Sequence, residues 1–199
     1  MTDPVPHLWW LASRASGVVA LVLVTISVGI GLTMSAKLMR KRRLGPKLMA
    51  IHEQTALAGM IAIGVHGVTL LGDPWLHPGI AGISVPFVMG YKTLFTGLGI
   101  LAGWLAALLG LSFYFRRRIG AALWRRMHRA TVVVYALGLV HTIGAGTDAR
   151  TPWLGWFMAL TAVPMAALFM RRVLGARRAS RGCASPASRA TPSRTAQSA

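Results

Sequence analysis

Long apolar blocks separated by short polar or basic segments dominate the pattern of this chain. The blocks predict helices at about 8–35, 48–71, 93–115, 124–143 and 153–174. Each is long enough to cross the hydrocarbon core of a bilayer, which needs about 20 mainly apolar residues. The sequence therefore predicts an all-α fold, a polytopic bundle of five transmembrane helices in contact with the lipid bilayer.

The segments outside these helices divide the chain into three parts. Residues 1–7 form a polar N-terminal lead, residues 8–174 form the membrane domain, and residues 175–199 are rich in Arg, Ser, Ala and Pro. A tail of that composition cannot bury enough apolar surface to fold, so we expect 175–199 to be disordered. Within the membrane domain, residues 72–92 are rich in Gly and Pro and predict a loop.

The net charge of +18 is concentrated in the connecting segments. Nineteen of the 22 Lys and Arg residues fall on one side of the predicted bundle, in 37–47, in 116–129 and from Arg171 onward. The positive-inside rule then places the N-terminus outside and the C-terminus in the cytoplasm. Topology explains these charges, so no nucleic acid partner is expected. The single cysteine, Cys183, excludes an intrachain disulfide and a cysteine-based metal site.

Four histidines lie near the ends of two of the predicted helices, His52 and His66 on the second and His128 and His141 on the fourth. Because both helices run the same way, His52 matches His128 in depth and His66 matches His141. Separations of 14 and 13 residues correspond to about 21 and 20 Å along a helix axis. This arrangement predicts two heme groups stacked across one bilayer, each bound by two histidines.

The angular spacing agrees less well with this hypothesis on one helix. Fourteen residues bring His52 and His66 to nearly the same face, but thirteen leave about 140° between His128 and His141 on an ideal helix. The second pair therefore requires helix tilt, a local distortion or hemes placed off the axis. The alternative for any one histidine is an interfacial or hydrogen-bonded side chain.

Three further residues carry candidate chemistry. Arg14 lies near the depth of the outer pair and is expected to neutralise a heme propionate; the alternative is that its side chain extends to the outer interface. His7 and His77 have no partner at matching depth, and their role is left open.

The histidine spacings, the basic turns before both helices and the segments DPWLHPG, RRRIGAALWRRMH and LVHTIGAGTD resemble the ferric reductase-like transmembrane domain family. That family includes ferric reductases, NADPH oxidases and the heme-binding subunit of the bacterial methionine sulfoxide reductase system. The resemblance covers about residues 8–173. It implies two b-type hemes, bound by His52 with His128 and by His66 with His141, and electron transfer across a bacterial inner membrane.

Two departures from the family change what is expected. The family often has six helices, and five are predicted here. Its larger members carry flavin and nicotinamide domains, whereas no GxGxxG fingerprint occurs here in a strand–turn–helix context. Electrons would therefore come from quinol, from a separate flavoprotein or from a dissociable flavin.

Three hypotheses follow. The first is a diheme electron-transfer subunit that links such a donor to an outer-face redox partner, without any catalytic bond-making residue. The second is a terminal reductase of ferric chelates at the outer heme. The third is a transporter or structural membrane protein without heme.

Overall fold

The computed structural model describes residues 7–36 and 44–183, with side chains up to residue 175. Within these ranges all regular structure is helical, in agreement with the predicted all-α class. The α-helices, in chain order, are α1 (Leu8–Ser35), α2 (Gly45–Thr69), α3 (Gly79–Ser84), α4 (Thr93–Leu111), α5 (Arg116–Ile119), α6 (Ala121–His128), α7 (Thr131–Ala145) and α8 (Pro152–Cys183). Short 3-10 helices cover Leu70–Gly72 and Thr147–Arg150.

Helix α1 is the centre of the bundle. It packs most extensively against α2 and also contacts α7 and α8, while α4 packs mainly against α7. Its inner face enters both buried clusters of the core. One cluster joins Val28 and Leu32 to Tyr135 and Met165. The other contains Leu21 and the two α8 residues Leu154 and Met158.

Four helical segments of the described chain are long and apolar enough to cross a membrane: Leu8–Ser35, Gly45–Gly72, Thr93–Leu111 and Pro152–Gly175. Large apolar side chains remain exposed along all four. An apolar surface of this extent favours a lipid environment, because soluble monomers rarely expose contiguous apolar patches above a few hundred Å². The chain is thus a multi-pass membrane protein by length and composition of its helices.

The helix predicted over 124–143 is divided in the structure by a tightened turn at Arg129 and Ala130, which both keep right-handed helical angles. Helix α6 ends at His128 and α7 begins at Thr131. At the break, Ala130 donates its N–H to the carbonyl of Met127 at 2.8 Å, in place of the usual bond four residues back. The Thr131 hydroxyl donates to the carbonyl of His128 at 2.9 Å. Such local side-chain bonds compete with continuous helix, and they leave α7 at 15 residues.

The other predicted boundaries agree more closely, with three differences. Helix α4 ends at Leu111, where Ser112 donates its hydroxyl to the Leu109 carbonyl at 2.6 Å. The predicted 72–92 loop contains the short helix α3. Helix α8 continues to Cys183, so 175–183 are helical and do not begin the predicted tail; their Ala and Arg residues are good helix formers. The predicted tail from 184 onward, the polar lead before His7 and most of the first basic loop lie outside the described residues.

The buried α8 contact should contribute measurably to stability. Leu154 is 1% exposed between α8 and α1, so Leu154→Ala should destabilise the fold by about 2–5 kcal/mol because it leaves a cavity. Leu160→Ala on the same helix is the matched control, since Leu160 is 69% exposed. Detergent-induced unfolding would measure both. Equal midpoints for the two variants would contradict the core described here.

Two buried histidine pairs

The four histidines of the predicted heme ligands meet in two pairs. The ring centres of His52 and His128 are 6.0 Å apart, and those of His66 and His141 are 6.2 Å apart. The ring planes make angles of 89° and 72°. All four side chains are half-buried among apolar helices. The structure thus brings together the residues that depth matching paired from the sequence.

The turn between α6 and α7 explains how His128 and His141 can both reach their partners, although an ideal helix would place them about 140° apart. His128 is the last residue of α6, and His141 lies on α7. Between them Arg129 and Ala130 keep right-handed helical angles, but the hydrogen bonds tighten from four-residue to three-residue spacing. The 140° offset of an ideal α-helix therefore does not apply. The other side has an unbroken α2, on which His52 and His66 share nearly one face.

The spacing within each pair suits one metal ion between two imidazoles. A metal–imidazole bond is about 2 Å long, and each bonded nitrogen lies roughly 1 Å from its ring centre. Two rings on opposite sides of one ion therefore have centres about 6 Å apart. The separations of 6.0 and 6.2 Å agree with that value.

Three of the four imidazoles are held by the same hydrogen bond. In each, Nδ1 lies near a backbone carbonyl on an adjacent helix: His52 to Ser27 at 2.9 Å, His66 to Ser13 at 2.8 Å and His141 to Phe95 at 2.9 Å. A carbonyl only accepts, so Nδ1–H must donate. The neutral ring then has its lone pair on Nε2, the nitrogen that remains available to a metal.

His128 is held differently. Its Nδ1 is buried and has no hydrogen-bond partner among the described residues. Its ring stacks instead on the indole of Trp124, with centres 5.0 Å apart and planes 22° from parallel. The ring plane is thus fixed by stacking one turn earlier on α6, without a bond that selects a tautomer.

Arg14 forms an ion pair that the sequence did not reveal. Its Nε donates to Oδ2 of Asp148 at 2.8 Å, and its Nη2 donates to Oδ1. The guanidinium also lies 4.2 Å from the ring centre of Trp10. This fork ties α1 to the turn after α7. The predicted contact of Arg14 with a heme propionate stays a prediction.

The two remaining histidines lie apart from the pairs. His7 and His77 are exposed, and His77 has a left-handed backbone with φ 38°. Asp73, at the same end of α2, is 3% exposed. Its Oδ1 accepts from the backbone N–H groups of Trp75 and Leu76 at 2.9 and 3.1 Å, while Oδ2 has no partner among the described residues.

The donor sets determine which prosthetic group the pairs fit. Among residues 7–36 and 44–175, no three His, Cys, Asp or Glu side chains converge as a metal-ion site. Each pair therefore offers only two protein ligands, whereas a structural zinc site takes four. A porphyrin supplies the four equatorial nitrogens itself and needs only two axial ligands. Two imidazoles about 6 Å apart, with Nε2 left free on His52, His66 and His141, fit that requirement.

Comparison with known proteins adds no further constraint: no protein-family model and no solved structure matches the chain. The histidine pairs and their surroundings are therefore the features that indicate function.

The pair Arg14–Asp148 should be energetically coupled. A double-mutant cycle with Arg14→Gln and Asp148→Asn should give a coupling of about 0.5–3 kcal/mol, because the fork is only partly exposed. Detergent-induced unfolding would supply the four free energies. The control is a second cycle in which Arg150→Gln, a change at a neighbouring exposed arginine, replaces Arg14→Gln. It should give no coupling energy with Asp148→Asn. Additive effects of Arg14→Gln and Asp148→Asn would contradict the ion pair.

Proposed function

We propose that this chain is a diheme b-type membrane cytochrome that carries electrons across the bilayer, and that it belongs to the ferric reductase-like transmembrane family. The observation that carries the proposal is the pair of imidazole separations, 6.0 and 6.2 Å, at two depths of an apolar helical bundle. When bound, each heme would supply one-electron oxidation and reduction of iron. His52 with His128 and His66 with His141 would hold them.

The proposed topology has five crossings, with α6 and α7 together forming the fourth. The N-terminus lies on the outer side of a bacterial inner membrane, and the C-terminus lies on its cytoplasmic side. The basic residues of 116–129 lie at the end that carries His128, as the positive-inside rule requires. Asp73 and the Arg14–Asp148 pair lie at the other end, beside His66 and His141. We therefore name His52–His128 the inner pair and His66–His141 the outer pair.

The protein's part in this function is to bind, separate and insulate. Helix α2 spaces its two histidines by about 21 Å along its axis, so it would hold two hemes at separate depths of one bilayer. The apolar side chains around the pairs exclude water, which favours electron transfer over side reactions. The chain needs no bond-making residue. Its donor would be quinol, a separate flavoprotein or a dissociable flavin, and its acceptor an outer-face redox partner.

Heme content tests the proposal directly. The purified protein should show a reduced b-type absorption spectrum and bind about two hemes per chain. His66→Ala and His141→Ala should each lose the outer heme and keep the inner one, because each removes one axial ligand. His7→Ala and His77→Ala are the matched controls, and both should keep both hemes. Heme quantification by alkaline pyridine spectra gives the ratio.

Other outcomes separate the hypotheses. A protein that never binds heme, either as purified or after addition of hemin, would leave the transporter or structural hypothesis. Loss of both hemes in His7→Ala, or retention of both in His66→Ala and His141→Ala, would contradict the ligand assignment.

One observation favours a terminal ferric-chelate reductase as a second candidate. A cavity of about 600 Å³ at the outer end is lined by His7, Trp10, Asp73, Pro74 and Trp75. The Oδ2 of Asp73, which has no hydrogen-bond partner among the described residues, is a hard oxygen donor of the kind that ferric iron prefers. An iron chelate held there would lie outside the outer pair.

Stopped-flow oxidation of the reduced protein tests this second candidate. If it is correct, a ferric chelate should oxidise wild type faster than an unrelated acceptor of similar potential. Asp73→Asn should remove that advantage while the heme spectrum stays unchanged, because Asn keeps the oxygen that accepts from Trp75 and Leu76. Equal rates for both acceptors in wild type would exclude the ferric-chelate site.

A further inference from the structure

A glycine stands four residues after each carbonyl that binds a histidine ring. Gly17 follows Ser13, Gly31 follows Ser27 and Gly99 follows Phe95. In an α-helix the carbonyl of residue i accepts from the N–H of residue i+4. The N–H of each glycine therefore donates to the same carbonyl that accepts from the imidazole. Each glycine also faces the ring directly.

At Gly99 and Gly17 the missing β-carbon makes room for the ring, whereas at Gly31 a β-carbon would make only van der Waals contact with it. A β-carbon added at Gly99 would lie 2.7 Å from the Cε1 atom of His141. One at Gly17 would lie 3.0 Å from Nδ1 of His66, and one at Gly31 would lie 3.4 Å from Cε1 of His52. The clearance thus increases from the first to the last. We call each combination of acceptor carbonyl and following glycine a cradle.

The cradles of α1 repeat with the spacing of the histidines they hold. Ser13 and Ser27 are 14 residues apart (27 − 13), and so are His52 and His66 (66 − 52). Helices α1 and α2 run antiparallel, so Ser13 meets His66 and Ser27 meets His52. Each serine hydroxyl adds a second contact to Nδ1, at 3.2 and 3.1 Å. A repeated Ser-x-x-x-Gly on one helix is the sequence signal of this arrangement.

The fourth histidine has no such cradle. His128 precedes His141 by 13 residues. Because α4 runs antiparallel to α7, the equivalent cradle for His128 would stand 13 residues after the one for His141. Those positions are Leu108 and Ser112. A serine stands where the cradle requires glycine. Its hydroxyl is used locally on the Leu109 carbonyl. Within the described residues His128 keeps Trp124 as its support and no acceptor for Nδ1.

We propose that Gly17, Gly31 and Gly99 are positioning residues whose cradles set the ligand strength of the two histidine pairs, so that the inner pair is reduced first. This inference rests on the proposed heme function. A hydrogen bond from Nδ1–H to a carbonyl makes the imidazole a more basic ligand. A more basic ligand stabilises the oxidised metal and lowers its potential. Among the described residues, the outer pair has two such bonds and the inner pair has one.

The arginines around the inner pair act in the same direction and outnumber its one neighbouring acid, Glu53, which follows His52. Arg125, Arg126 and Arg129 are on or next to α6, close in sequence to His128. Positive charge stabilises the reduced state, which carries one positive charge less. At the outer pair, Arg14 is neutralised by Asp148. Both effects therefore place the inner potential above the outer one.

Alanine substitutions at the three glycines test the cradles in heme-loaded, full-length protein. Gly99→Ala should lose the outer heme, because the ring of His141 cannot move past a β-carbon at that distance. Gly17→Ala should retain it and raise its midpoint potential as His66 withdraws from Ser13. Gly31→Ala should raise the inner midpoint slightly. Heme-to-protein ratio and redox titration give both quantities.

Two glycines farther along the chain from the four histidines are matched controls. Gly45 on α2 and Gly155 on α8 have open space where a β-carbon would be added. Their alanine variants should match wild type in heme ratio and in both midpoints. If Gly17→Ala, Gly31→Ala and Gly99→Ala behave like these controls, the cradles do not position the ligands and the proposal is wrong.

The order of reduction is tested separately. The titration wave that disappears in His66→Ala belongs to the outer pair, and it should be the one of lower potential in wild type. If it is the higher wave, the inferred order is wrong even if the cradles are correct. If wild type binds no heme, the proposed function fails. The cradles would then be tested by nitrogen NMR of that heme-free protein, in which His52, His66 and His141 should carry the proton on Nδ1; protons on Nε2 would overturn them.

Discussion

An imidazole inside an apolar bundle must have its polar nitrogens satisfied, because an unpaired buried polar group costs about 1–3 kcal/mol. For His52, His66 and His141 the fold meets this constraint by bringing helix backbones close enough for the rings to reach carbonyls that already accept a helical bond. At His66 and His141 this approach requires a glycine on the facing helix, because a β-carbon there would obstruct the ring. The close packing of α1 on α2 and of α4 on α7 thus depends on the same contacts that orient the histidines.

Much of this arrangement could be predicted from the sequence. Apolar block length gave the helices, and the depth of His52, His66, His128 and His141 gave two pairs that the structure brings within about 6 Å. Depth follows from residue spacing alone. It does not depend on which neighbours a helix packs against, so a single sequence carries it.

Other features could not be predicted, because they arise from contacts between distant segments. The fork between Arg14 and Asp148 joins positions 134 residues apart. The break before Thr131 depends on a hydroxyl that takes one carbonyl from the helix, and threonine within an apolar run gives no distinct periodic signal. The cradles did have a sequence signal in the 14-residue repeat of Ser-x-x-x-Gly on α1, but small residues in membrane helices usually indicate helix packing.

Because α6 and α7 are separated by a turn, only α2 fixes the distance between the inner and the outer histidine pair with one continuous helix. Helix α2 is continuous and acts as a ruler, so inserting one residue between His52 and His66 would rotate one of them by about 100° out of the shared face. Between His128 and His141 the regular α-helix is interrupted at Arg129 and Ala130. A change in length or angle on this side can be accommodated by the turn at these two residues. The two sides of the bundle therefore differ: α2 sets the spacing of the histidine pairs, and the α6–α7 side adapts to it.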